Sequence, residues 1–167
     1  MAVLEILRFP DPRLRIKAKP VTAIDDSIRK LVEDMFETMY ASNGVGLAAT
    51  QIGIDKRIFT MDVSETRDQK YCIINPEIVS REGKQWETEG CLSVGGDAYD
   101  KVERAAKVVL RAIDLDGKPI ELHGEELMAA CIQHEIDHLD GILFIDHLSR
   151  LKQERIRKRI EKINRRD

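Results

Sequence analysis

The sequence predicts a single α+β domain. A length of 167 residues suits one domain with a core of its own. A hydrophobic content of 43% beside 34% charged residues describes a folded globular chain, not a disordered one. Strand-like runs and helix-like spacing also fall in separate stretches, with no repeat, low-complexity tract or long linker between them.

The elements follow in order. "VLEILRFP" (3–10) reads as a first strand ended by Pro10. Ile28, Leu31, Val32, Met35, Phe36 and Met39 recur at helical spacing. Asp25, Asp26 and Ser27 are the candidate caps, and Asn43-Gly44, both tolerant of a left-handed turn, is the stop. "RIFTMDV" (57–63) and "YCIINPEIV" (71–79) read as strands, and "KVVLRAIDLDGKPIEL" (107–122) as a hairpin turning at Asp116-Gly117. A second helix is expected from about Glu125 to Leu139, with Gly124 before it and Gly141 after it. A third carries Leu151, Ile156, Ile160 and Ile163 on one side.

No apolar run approaches the roughly 18–20 residues that span a bilayer, so no membrane segment is expected. Glu5 and Arg8 interrupt the N-terminus too early for a signal-peptide core, which predicts a cytoplasmic protein. In a reducing compartment Cys72, Cys91 and Cys131 read as core thiols or metal ligands. The net charge of −3 conceals an asymmetry: residues 149–167 carry +6 and the remainder −9.

The stretch "QHEIDH" (133–138) places His134 and His138 one turn apart on one helix face, where both imidazoles can reach one ion. Glu135 is adjacent and can act as general base on a water there. The same letters also fit a polar helix with two hydrogen-bonded histidines. A catalytic site needs a third protein ligand and an open position. One peptidase pattern would place a histidine where this chain has Phe144. Another uses a downstream glutamate, but Glu154 and Glu161 sit in the basic tail, and His147 has no supporting motif. Cys131 lies about 10 Å along the helix axis from His138, so three ligands from that helix converge poorly. Cys72 sits in an apolar run and reads as core. Cys91 lies in "EGCLSVGG", where Gly90 and the later glycines let the main chain approach a metal and a substrate; a small buried hydrophobe is the alternative.

Three stretches, "GVGLAATQIG" (44–53), "EGCLS" (89–93) and "QHEIDHLDG" (133–141), occur in the order found in peptide deformylases. The resemblance runs over nearly the whole chain, through "LRFPDPRL", "DMFETMY" and "LDGKPIEL", and is greatest to the bacterial type with a basic C-terminal helix. It implies β-sheets around a central metal-binding helix, with residues 1–148 as the catalytic part and 149–167 as a basic helix of the same domain. It implies removal of the formyl group from the N-terminal formyl-methionine of new polypeptides. Cys91, His134 and His138 match the family's metal ligands, and Glu135 its acid/base. Gln51 and the backbone N–H of Leu92 match its oxyanion-binding groups. Gly46 and Gly90 fall where backbone lines the substrate groove. Val45, Leu127, Ala130 and Cys131 match positions around the methionine side chain, a spacing that a buried helix face would equally show. The implied cofactor is one divalent ion, ferrous iron, with zinc, nickel or cobalt as substitutes.

Further expectations concern the surroundings. Glu89 and Arg104 form an ion pair bracing the Cys91 loop, of small value if exposed. His123 and His147 are structural, and Arg8, Pro10 and Arg13 anchor the N-terminal segment. Most family members carry a proline where this chain has Gly95-Gly96, which predicts a looser groove beyond methionine and a Michaelis constant that Gly95→Pro lowers. The basic tail suits either a solvated face or nucleic acid. In this family such a helix is associated with docking at the ribosome. Nothing in the sequence requires more than a monomer.

Overall fold

The computed structural model describes residues 2–94 and 99–166. Gly95-Gly96 lies outside the described residues. Helix α1 (Asp26–Ala41) starts at Asp25, whose carboxylate accepts the Ile28 N–H at 3.1 Å, so Asp25 is the cap among the three candidates. It stops where Asn43 turns left-handed (φ 57°) and the Gly44 N–H returns to the Met39 carbonyl at 2.9 Å.

A five-stranded antiparallel sheet has the order β1 (Gly46–Ala48), β2 (Ile58–Met61), β3 (Tyr71–Glu82), β6 (Lys107–Ile113), β7 (Pro119–Glu125). A separate hairpin pairs β4 (Gln85–Glu89) with β5 (Asp100–Arg104). Helices α2 (Glu126–Leu139) and α3 (Arg150–Arg166) complete the described elements.

The side-chain alternation of the strands explains the layering. Phe59, Met61 and Ile73 point to one face and pack with Ala129, Cys131 and Ile132 of α2. Ile58 and Ile74 point to the other and pack with Val32, Met35 and Met39 of α1. The sheet is therefore buried on both faces near its β1–β3 end, which is why "RIFTMDV" shows no polar alternation. A third cluster joins Val94 and Val102 around the hairpin to Leu7, Leu14, Phe144, Ile145 and Ile160. Helix α2 thus lies between the large sheet and the hairpin, the central position expected for it.

One expectation fails. Residues 3–10 form no strand. Their N–H groups go to separate partners: Leu4 to Thr38 Oγ1, Leu7 to the Gln51 carbonyl, Phe9 to the Ser93 carbonyl. No single sheet edge takes the segment, so its alternating pattern serves burial alone. Helix α2 keeps close to its expected bounds, at Glu126–Leu139, with Gly124 before it as part of β7. Gly141 does end α2: its φ is +76°, and a Cβ there would lie 2.4 Å from the Arg15 carbonyl oxygen.

Candidate metal centre and cleft

The long helix α2 presents His134 and His138 towards the loop after β4, which carries Cys91. Their ligand atoms converge: Cys91 Sγ lies 3.2 Å from His138 Nε2, and His138 Nε2 lies 3.2 Å from His134 Nε2. All three fall within 4.8 Å of one another, the one such Cys/His/Asp/Glu group among the described residues. Metal–nitrogen bonds of about 2.1 Å and a metal–sulfur bond of about 2.3 Å put tetrahedral ligands about 3.3–3.6 Å apart. The donor set and its spacing therefore fit one ion.

Electrostatics point the same way. Burial opposes ionisation of Cys91, but the neighbouring His138 and His134 outweigh it and hold the thiol well below its ordinary range. His134 is orientated from behind. Its Nδ1 meets Glu89 Oε1 at 2.9 Å, leaving Nε2 for the site. Arg104 grips Glu89 with two bonds of 2.9 Å and reaches Asp137 Oδ2 at 2.6 Å. His147 closes the chain on Asp137 at 2.8 Å. Burial pushes the Glu89 carboxyl up, yet the Arg104 and His134 bonds bring it down to about 2. The Glu89–Arg104 pair was expected to be worth little if exposed. Its side chains are only 9% and 4% exposed, and the pair supports a candidate ligand directly. His147 has the structural place expected, at the outer end of this network.

Glu135 faces the same space. It is buried, its Oε1 has no hydrogen-bond partner, and burial raises its pKa. Its Oε2 would be 2.7 Å from a Cβ on Gly46, so only glycine lets β1 pass this close. Gln51 sits in the turn after β1, tied to α2 by Thr50 Oγ1 donating to the His138 carbonyl at 3.0 Å. The Ala48 N–H donates to Gln51 Oε1 at 2.9 Å, which fixes the amide. Its Nε2 then donates to Ser93 Oγ at 3.1 Å and lies 3.7 Å from Cys91 Sγ.

These groups line one cleft of about 510 Å³. Gly46, Gln51, Gly90, Cys91, Leu92, His134 and Glu135 are on its walls, and so are Val45, Leu127, Ala130 and Cys131. His138 reaches the cluster from beneath and is buried. Cys131 is at the cleft but outside the ligand cluster, and burial pushes its thiol well up. Cys72 lies against the α1 cluster, its thiol raised by burial to about 12. Phe144 is buried with its ring 6.3 Å from that of His134, and Glu154 pairs with Arg157 on α3, so neither completes a peptidase ligand set.

Sequence reasoning passed over Asn43, Gly44, Thr88 and Tyr99, which also line the cleft. Arg8 lines it too, between the Leu7 and Phe9 N–H groups that bond to the Gln51 and Ser93 carbonyls. Ser93 was inside a recognised motif, but its contact with Gln51 depends on two loops 42 residues apart.

Comparison with known proteins follows the same lines. A sequence model for the family described as polypeptide deformylase matches residues 3–154. A peptide deformylase of Stutzerimonas stutzeri is 56% identical over 167 residues, covering 99% of this chain and 98% of the relative. Peptide deformylase 1 of Pseudomonas syringae pv. tomato is 57% identical over 164 residues, covering 97% and 96%. The crystal structure of a peptide deformylase from Legionella pneumophila superposes with a TM-score of 0.94 at 51% identity, covering 98% of this chain and 96% of that one. One from Ehrlichia chaffeensis, in complex with actinonin, gives 0.94 at 42% identity and covers 99% of both.

Proposed function

The chain belongs to the peptide deformylase family, hydrolases that remove the N-terminal formyl group from nascent polypeptides, and from that premise we propose how its own residues divide the work. Cys91, His134 and His138 hold the family's metal ion, and ferrous iron is the proposed occupant, with zinc, nickel or cobalt as substitutes. When bound, the ion supplies Lewis-acid activation of a water and of the formyl oxygen.

Glu135 is the acid/base. It takes a proton from the attacking water and delivers it to the leaving amine nitrogen, so formate and a free N-terminus result. A buried carboxylate with one uncommitted oxygen and a raised pKa suits both transfers. Gln51 Nε2 and the Leu92 N–H receive the charge that develops on the formyl oxygen. Val45, Leu127, Ala130 and Cys131 surround the methionine side chain. Gly90 and Gly46 supply backbone to the peptide. Strand β1 is at the sheet edge, and the Asp62 N–H donates to the Val45 carbonyl at 2.8 Å on the β2 side. Alternate residues of an antiparallel strand face opposite ways, so Gly46 directs its N–H and C=O to the open edge.

Residues 1–148 and the tail act as one cytoplasmic, monomeric domain, and the basic face of α3 docks on the ribosome. No helix among the described residues is long and apolar enough to cross a membrane.

The observation that carries the reading is the cluster of three metal-competent side chains at the cleft that Glu135 also lines, with Glu135 Oε1 buried and without a hydrogen-bond partner. The test is formate release from a formyl-methionyl tripeptide, with protein kept from oxygen and supplied with ferrous ion. Release should fall by about 10²–10⁴ in Glu135→Ala, with one metal per chain retained. Undiminished release in that variant would remove Glu135 from the mechanism.

A further inference from the structure

One wall of the cleft, Asn43 to Gly46, is held from behind by a cluster that the proposed chemistry does not use. Asp62, at the end of β2, is fully buried. Its carboxylate accepts the Tyr40 hydroxyl at 2.5 Å, and the Ser64 N–H and hydroxyl at 3.0 and 2.6 Å. Five residues on, Arg67 adopts φ 58°, a left-handed backbone uncommon for a long side chain. That turn sends its guanidinium back over the cluster. Nη1 donates to the Asp62 carbonyl at 2.8 Å, and Nη2 donates to the Gly44 carbonyl at 2.5 Å. The guanidinium carbon lies 5.0 Å from the centroid of the Tyr40 ring, a cation–π distance.

The Gly44 and Val45 carbonyls are therefore both drawn to the loop behind the wall, Gly44 by Arg67 and Val45 by the Asp62 N–H. Gly44 and Asn43 are themselves cleft-lining. A glycine beside a left-handed asparagine has several conformations of similar energy, and only a fixed donor selects one. The planar fork of an arginine can hold two carbonyls at once, which the single ammonium of lysine does less well.

We propose that Arg67 is a positioning residue for substrate binding: stacked on Tyr40 and bonded to the Gly44 carbonyl, it fixes the cleft wall so that the Gly46 edge meets the peptide backbone in register. This rests on the peptide-binding role given above to Gly46. Arg67 touches no reacting atom, so its loss acts on binding and leaves the proton transfers intact.

Arg67→Ala should raise KM for the formyl-methionyl tripeptide about tenfold while kcat stays within about twofold. Arg67→Gly removes the guanidinium but relieves the left-handed backbone, so an equal rise in KM there excludes backbone strain as the cause. Arg67→Lys should fall between, and it carries the test if neither truncation folds. Amide hydrogen exchange supplies a readout independent of turnover: Val45 and Gly46 should exchange faster in the variants, with Ile73 in the sheet unchanged. Unchanged KM together with unchanged exchange at Val45 and Gly46 overturns the proposal, as does a fall in kcat at constant KM. A wild-type protein that releases no formate contradicts the proposed function, and the exchange measurement then still decides whether the clamp exists.

Discussion

At the scale of single residues, Arg104 carries the most connections around the site. Its buried guanidinium pairs with both the buried Glu89 and the half-buried Asp137, and Glu89 orientates His134. Removing one member of such a group leaves charges buried without partners, which costs about 3–5 kcal/mol. Arg104→Met keeps much of the volume and deletes the charge. Its thermal midpoint should fall by roughly 10 °C, and metal affinity by about 10–100-fold as His134 loses its orientation. Calorimetry and metal titration on the same preparation check both. A variant with wild-type midpoint and wild-type metal affinity would show that the network is only surface decoration. The sequence suggests that Glu89 and Arg104 pair to brace the Cys91 loop. Whether that pair is worth a fraction of a kcal/mol or several depends on burial, which no local pattern reveals.

At the scale of elements, α1 contributes more than a packing face. Tyr40 leaves its last turn to bond Asp62 and to carry Arg67, so the helix is tied to the cleft wall. Burial first, and the Asp62 bond second, raise the Tyr40 phenol to about 12. A group whose pKa is higher in the folded state stabilises the fold fully below its unfolded value, near 10 for a phenol. That contribution is lost as pH rises to the folded value. Tyr40→Phe keeps the ring under Arg67 and removes only the hydroxyl. It should lower stability by about 1–3 kcal/mol at neutral pH. The gap between the two proteins should stay constant to about pH 9.5 and close between about pH 10 and 12. Thermal midpoints across that range read it directly; a gap that persists unchanged to pH 12 would contradict the assignment.

At the scale of the whole molecule, α3 has one face that packs on the core and one basic, exposed face, the one proposed to dock on the ribosome. Ile160 is buried, and Ile156 packs against the cluster that includes Leu7, Val102 and Phe144. Truncation after Ser149 would therefore open part of the core, and loss of activity in such a chain would not isolate the tail's charge. Arg155, Lys158 and Lys162 are exposed at helical spacing and leave that packing alone. Changing all three to Glu should weaken ribosome binding at least tenfold and flatten its salt dependence, with tripeptide deformylation unchanged. Equal binding by wild type and triple variant across a salt titration would remove the tail from ribosome docking.

The sequence by itself determined the α+β class, α1 and its stop at Asn43, the hairpin near Asp116, and the helix bearing His134, Glu135 and His138, because each rests on local spacing or on local turn chemistry. Its resemblance to a family marked Cys91 and Gln51 as partners of that helix. Tertiary structure decided what only distant segments share. The N-terminal run 3–10 has a strand's alternation, but its N–H groups go to Thr38, Gln51 and Ser93, so no ladder forms. The β4–β5 hairpin went unread because β4 shows no alternation of buried and exposed residues: Trp86, Glu87 and Thr88 in succession are all exposed. The direction of the Gln51 amide, the burial of Arg104 and the return of Arg67 to the Gly44 carbonyl depend on segments 15–42 residues apart in the chain. Periodicity and propensity act over a few residues, whereas burial and convergent hydrogen bonding are set by which surfaces the folded chain brings together.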